Sequence, residues 1–260
     1  MIDLRSVDER LVQGRADQRP AFERFRAGMG HLADQVYANF DVSVHPSCAK
    51  VSHYECGPMR GAMTASSGPE IDWMIDSWIG NPEQGFSNHH LTCWLPPEIG
   101  APHLGMAIGT IPQLFFFIDL IPRRDPWVHD AHLDRYHRAF NQQFMDMEAD
   151  RRFSRFVSQE HYIRNALSPV GLCVQGEPTP DNIAHCLNIA EQMLTQWIAW
   201  VKDPEFVPED ERDVIAARDL AMRRTICQRD PANIVAEKVL GPELTETLVR
   251  VMWGADRSPS

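Results

Sequence analysis

The chain lacks several things, and each absence narrows what it can be. Its six cysteines, Cys48, Cys56, Cys93, Cys173, Cys186 and Cys227, are dispersed, with no CxxC pair. That spacing excludes the common iron–sulfur runs, and a disulfide framework is not expected in a reducing compartment. No run of eighteen apolar residues occurs; the longest, Leu114–Ile118, is only strand-length, so no membrane span is expected. The opening stretch MIDLRSVDERLVQGR has no apolar core of signal-peptide length, which makes the cytoplasm the expected compartment. Lysine is scarce: Lys50, Lys202 and Lys238 are the only ones, and arginine makes up the rest of the 25 basic residues. Basic stripes are absent too, and a net charge of −11 would repel a nucleic-acid duplex. Repeats and low-complexity segments are also missing.

What remains is ordinary globular composition, 43% apolar and 23% charged over 260 residues. We expect one α/β domain over residues 1–255, including an N-terminal helical segment within 1–40, and a flexible tail at 256–260. Phe22, Phe25, Met29, Leu32 and Val36 fall at helical spacing behind Pro20, which suits a helix start. Strand patterns follow at Val42–His45, Ile71–Ile79, Leu91–Leu95, His103–Ile108 and Gln113–Ile121, separated by Gly and Pro. Trp73, Ile75 and Ser77 share a face of the second. Strands joined so closely predict an antiparallel meander. Helical stripes return at Leu133–Met147, at Ile183–Val201 behind Pro180-Asp181, and at Leu244–Met252, with one more strand at Gly171–Glu177. The expected architecture is an α/β/α sandwich: a central antiparallel sheet with helices on both faces and a ligand cleft against the sheet.

Four segments, in order, carry a resemblance: IDWMIDSWIG at Ile71–Gly80, APHLGMAIGTIPQLFFFIDLIPRRD at Ala101–Asp125, YIRNALSPVG at Tyr162–Gly171, and RDPANIVAEKVLGPELTETLV at Arg229–Val249. Together they resemble the red chlorophyll catabolite reductases, within the wider group of ferredoxin-dependent bilin reductases. The resemblance implies the same sandwich fold and an open-chain tetrapyrrole bound against the sheet. It implies no bound cofactor, electrons delivered one at a time by ferredoxin, protons supplied by side chains, and a homodimer as a possible assembly.

The resemblance also directs attention to particular residues. Asp230 matches the group's functional aspartate before the last helices; in an apolar pocket its pKa would rise and it could pass a proton. An Asp before Pro231 is equally a good helix N-cap. Ala107 departs from the pattern, standing where the group has an acidic residue on a central strand. Either another group donates, or the reaction differs, or the protein binds without reducing. His103 shares that strand face by the two-residue period and is the expected second catalytic residue; the plainer reading is a structural histidine. Asp119, in the apolar FFFIDLIP, needs a partner, for which Arg123 and Arg124 are the candidates. It is grouped with the substrate-binding residues, the plainer reading being a strand-end fixture. Arg164 could clamp a propionate, with Ser168 beside it in IRNALSP, and Trp94 could stack on a pyrrole ring.

One constellation stands outside the resemblance. His45, Cys48, His53 and Cys56 form a repeated HxxC whose ligand types suit zinc or iron, although the spacing is irregular and no metal site is expected. His89 and His90 are adjacent, so on a strand they point apart and do not readily share an ion. The Arg-rich stretch of Arg123, Arg124, Arg135, Arg138, Arg151, Arg152 and Arg155 is a candidate ferredoxin-docking patch. Two other functions remain open: a tetrapyrrole-binding protein without catalysis, and a metal-dependent enzyme on the same fold.

Overall fold

A computed structural model describes residues 17–111 and 113–254; the opening stretch through residue 16 and the tail at 256–260 lie outside the described residues. The strands are β1 (Ser43–Val44), β2 (Tyr54–Cys56), β3 (Met59–Ser67), β4 (Trp73–Asn81), β5 (Phe86–Trp94), β6 (His103–Ile111), β7 (Gln113–Ile121), β8 (Phe153–Arg155) and β9 (Leu172–Gly176). They form one sheet in the order β1-β3-β4-β5-β6-β7-β9-β8, with β2 paired to β3. Every pairing is antiparallel, and β3 to β7 make the expected meander.

The pleat sorts side chains onto two faces. Leu104, Met106 and Ile108 of β6 point to one face with Leu114, Phe116, Ile118 and Leu120 of β7, all buried. That face is covered by α1 (Arg19–Asn39) and α5 (Pro180–Lys202). The buried side of α1 is Ala21, Phe25, Met29, Leu32, Ala33 and Val36, the predicted stripe except that Ala21 takes the inward place expected of Phe22, which is half-buried. In α5 the stripe includes Ile183, Ala190, Leu194, Trp197 and Val201. Thr179 caps this helix, accepting the Asn182 N–H at 3.2 Å, and Trp197 Nε1 donates to Pro102 O at 2.9 Å.

The stripe at Leu133–Met147 forms two helices rather than one, α2 (Asp130–Tyr136) and α3 (Asn141–Ala149), divided by a 3₁₀ turn at Arg138–Phe140. Buried His137 donates from Nε2 to Leu120 O at 2.9 Å, which pins the break to the end of β7. A short α4 (His161–Ala166) precedes β9.

The second face is covered by the C-terminal helices α6 (Glu209–Arg229), α7 (Ala232–Leu240) and α8 (Pro242–Trp253). Met63, Ile75 and Trp73 pack there with Leu240, Leu248 and Val251, and Trp73 Nε1 donates to Val251 O at 2.9 Å. Helix α6 is attached differently. Its buried residues are Ile215, Asp219, Arg223 and Ile226, so half of its inward stripe is charged. Asp219 Oδ2 accepts from Arg123 Nε at 2.9 Å and Nη2 at 2.7 Å, and Arg223 pairs with Asp72 at 3.3 Å.

Candidate active site

Between the second sheet face and α7–α8 lies a cavity of about 830 Å³, within the roughly 300–1,000 Å³ usual for small-molecule sites. Met63, Ile79 and Phe86 on the strands and Val235, Leu248 and Met252 on the helices give it a mainly apolar wall. Among the described residues no Lys or Arg lines it. Its two titratable side chains with ordinary acid–base range are His90 on the sheet and Asp230 at the α6–α7 junction; Tyr54 also lines it, and burial raises that phenol.

Asp230 stands both at a helix junction and on the cavity wall. It ends α6, and its Oδ1 accepts the Ala232 N–H at 2.9 Å, organising the start of α7. It is also half-buried on the cavity wall. Burial raises its pKa above the usual carboxylate value, opposed by the Ala232 hydrogen bond. A carboxyl shifted this way keeps its proton to a higher pH than a free one.

His90 comes from β5 and sits opposite Ala107 of β6 and Ser77 of β4 in the ladders. Asn88 Nδ2 lies 2.9 Å from His90 Nε2. Burial pushes the ring's pKa down to about 4, so it is neutral at pH 7. Its neighbour His89 points to the other face, where it packs on Phe22 and Phe25. The histidine beside Ala107 is therefore across the ladder rather than along the strand. The two-residue period alone identifies His103 but not His90, because finding His90 requires the β5–β6 register.

His103 shares the face of Ala107, but four residues along a strand is roughly 13 Å, and it lies outside the cavity wall. It is fully buried in the polar cluster under α6. Nδ1 accepts the Leu95 N–H at 3.0 Å, and Nε2 lies 3.1 Å from Asp219 Oδ2. Burial outweighs the neighbouring carboxylate and pushes its pKa down to about 4. For Asp219, burial alone would raise the pKa; the His103 and Arg123 contacts outweigh it and bring the carboxyl to about 2. With His103 neutral at pH 7, Arg123 at 2.7 Å and Arg218 at 3.7 Å are the cations that hold Asp219 ionised.

The remaining expected residues are placed as follows. Asp119 is fully buried on β7, and its partner is Ser168 rather than Arg123 or Arg124. Oδ2 accepts the Ser168 N–H at 2.8 Å, and Oδ1 the Ser168 hydroxyl at 2.5 Å. Burial lifts Asp119 to about 6 despite these bonds. The pair ties the loop before β9 to the sheet and is not part of the cavity wall. Arg164 is directed back to its own loop, donating to Ser158 O at 2.7 Å and Gln159 O at 3.0 Å. Trp94 stands behind the wall: its ring lies 6.1 Å from that of Trp253, which does line the cavity.

Cys48 Sγ donates to His45 O, whereas Cys56 Sγ donates to the Val239 and Leu240 carbonyls. Among the described residues no three His, Cys, Asp or Glu side chains are grouped so as to hold a metal ion. The Arg-rich stretch is not a bare basic patch. Arg123 is buried on Asp219, Arg124 pairs with Glu211, Arg135 with Glu205, Arg138 with Asp134, Arg152 with Asp150 and Arg155 with Glu148. Among the described residues no helix is long and apolar enough to cross a membrane.

Comparisons with known proteins agree with this architecture. The fold is similar to that of phytochromobilin synthase from tomato, solved in complex with biliverdin. The TM-score is 0.78 at 12% identity, over 91% of this chain and 85% of that one. A search of curated proteins finds no match. The family model for red chlorophyll catabolite reductase (RCC reductase) matches residues 26–253, which takes in the sheet, both helical layers and the whole cavity. The chain belongs to the red chlorophyll catabolite reductase family.

Proposed function

We propose that this protein reduces a linear tetrapyrrole, red chlorophyll catabolite or a bilin, using electrons from reduced ferredoxin. The observation that carries the proposal is the cavity: a large apolar slot with two titratable groups, His90 and Asp230, on its walls. A flat, conjugated, mostly apolar molecule suits such a wall. In this reading the substrate's carboxylates stay toward solvent rather than in the slot.

The chemistry assigned to the site is the addition of two electrons and two protons across a conjugated double bond. Each electron arrives from ferredoxin and makes the bound substrate a stronger base; a side chain then supplies a proton. Asp230 fits that task because its raised pKa keeps it protonated for longer and its half-exposed position lets solvent restore the proton. His90, neutral, supports the reaction by hydrogen bonding to the substrate and is the group nearest the place where Ala107 has removed an acid. In this scheme His103 is a structural strut for α6. Trp94 supports Trp253 from behind, and Asp119 and Ser168 hold the frame. The scheme requires no flavin, metal or cluster on the chain.

Ala107 favours a second reading, binding without reduction. Anaerobic mixing with reduced ferredoxin and a panel including red chlorophyll catabolite and biliverdin separates the two. A product spectrum that disappears in Asp230→Asn supports the reductase; a shifted spectrum that does not evolve supports a binding protein.

A further inference from the structure

Two of the polar side chains on the sheet side of the cavity form one unit. Asn88 and His90 are two residues apart on β5 and so share a face, and Asn88 Nδ2 lies 2.9 Å from His90 Nε2. An amide nitrogen only donates, so Nε2 must accept. A neutral imidazole with an unprotonated Nε2 carries its hydrogen on Nδ1. The opposite amide orientation would put Asn88 Oδ1 against an Nε2–H and leave two N–H donors without a protein partner. The present orientation leaves one N–H and the sealed carbonyl oxygen Oδ1 without a partner among the described residues; a lone carbonyl in place of a second lone N–H is the lesser penalty. The groups facing the ring from the adjoining strands, Ser77 on β4 and Ala107 on β6, include no acid or base that would select a tautomer. That selection is left to Asn88.

We infer that Asn88 is a positioning residue: its amide fixes the His90 ring as the Nδ1–H tautomer, and this single hydrogen is what His90 presents to a tetrapyrrole in the cavity. The role in turnover rests on the reductase reading above; the tautomer does not. The consequence is specific. With Nε2 occupied, His90 can offer only a donor, so it favours a substrate atom that gains negative charge as electrons arrive, such as a ring carbonyl or nitrogen. It disfavours a pyrrole N–H. A carboxylate at position 88, being acceptor-only, would reverse the ring and present a lone pair in its place.

The test uses the full-length protein. Long-range ¹H–¹⁵N correlation of the histidine rings is recorded without ligand, well above the ring's titration, for wild type, Asn88→Asp and Asn88→Leu. The expected wild-type spectrum has His90 Nδ1 protonated and Nε2 bare. Asn88→Asp should move the proton to Nε2, and Asn88→Leu should release the ring from the Nδ1–H form. With red chlorophyll catabolite and reduced ferredoxin, Asn88→Asp should lose about 10²-fold or more in kcat, the usual span for one lost hydrogen-bond donor to developing charge, and Asn88→Leu a smaller part of that. Substrate affinity by absorbance titration should change by no more than about threefold, because the lost contact acts in the transition state. A wild-type ring protonated on Nε2 overturns the inference. So does an Asn88→Asp ring identical to wild type, or a variant with inverted tautomer and undiminished kcat. If wild type turns over no tetrapyrrole, the reductase reading fails, and the ring spectrum still decides the tautomer.

Discussion

Replacing Asp219 by asparagine removes one negative charge from a site where nothing else balances Arg123. The guanidinium is 2% exposed and donates to Asp219 Oδ2 through both Nε and Nη2; its other contacts are the backbone carbonyls of Pro96 and Ile99. The substitution keeps the shape but leaves a buried cation without a counter-charge, a change that typically costs about 3–5 kcal/mol. The two carbonyls solvate part of the charge, which favours the lower half of that range. Total stability of a domain is about 5–15 kcal/mol, so the variant should be severely weakened. The expected fall in thermal midpoint is roughly 6–20 °C at about 2–4 °C per kcal/mol for a chain of this size. Urea denaturation followed by tryptophan fluorescence gives the free energy directly. The double variant Arg123→Met/Asp219→Leu should recover much of the loss, because it removes both charges together. An Asp219→Asn protein within about 1 kcal/mol of wild type, with an unchanged denaturant slope, would refute the argument that ionic pairing attaches α6 to the sheet.

Two further outcomes follow from packing and burial. Gly109→Ala places a Cβ 2.0 Å from Ser87 O and 2.8 Å from Asn88 Cα in the β5–β6 ladder. Backbone held by its own hydrogen bonds cannot move aside, so a loss of about 3 kcal/mol or more is expected, read as a lower urea midpoint; a midpoint equal to wild type contradicts it. Stability should also fall between pH 7 and pH 5. His89 and His103, 1% and 0% exposed, have folded pKa values of about 3 and about 4 against 6.5 in the unfolded chain. The unfolded chain thus takes up protons first, and stability present above 6.5 is lost as pH falls toward 4, by on the order of 2 kcal/mol per histidine at pH 5. Asp119 works in the opposite sense, since its raised value of about 6 favours the fold on acidification, but by only about 1 kcal/mol at pH 5. Asp219, at about 2, does not enter this window. A urea midpoint that rises from pH 7 to pH 5 would reverse the expected order of these effects.

Most of the sandwich was legible in the sequence because its signals are local. The alternation of β6 and β7 and the apolar stripes of α1 and α5 are readable residue by residue, and each appears where the pattern places it. What escaped reading depends on partners distant in the chain. Helix α6 carries no apolar stripe because Asp219 and Arg223 occupy two of its four inward positions, and only Arg123 and Asp72 explain their burial. Strand β3 uses Gly61 and Ala65 on its buried face, too small to register as hydrophobic alternation. The site divides in the same way. Asp230 was found through its segment and does reach the cavity. His90 was visible as a residue but not as a site, since its relation to Ala107 exists only in the cross-strand register. Asp119 was correctly judged to need a partner, yet that partner, Ser168, lies 49 residues on.

The central claim is that Asp230 supplies protons to a tetrapyrrole held in the cavity between the sheet and α7–α8. The most direct measurement is single-turnover reduction under anaerobic conditions, with reduced ferredoxin and pre-bound red chlorophyll catabolite or bilin, in wild type and Asp230→Asn. The account predicts that both proteins show the same bound-state spectrum. Wild type should proceed to product, while the variant stalls at a reduced, unprotonated species or slows by about 10²-fold or more. Equal rates in the two proteins, with the same product, would contradict it.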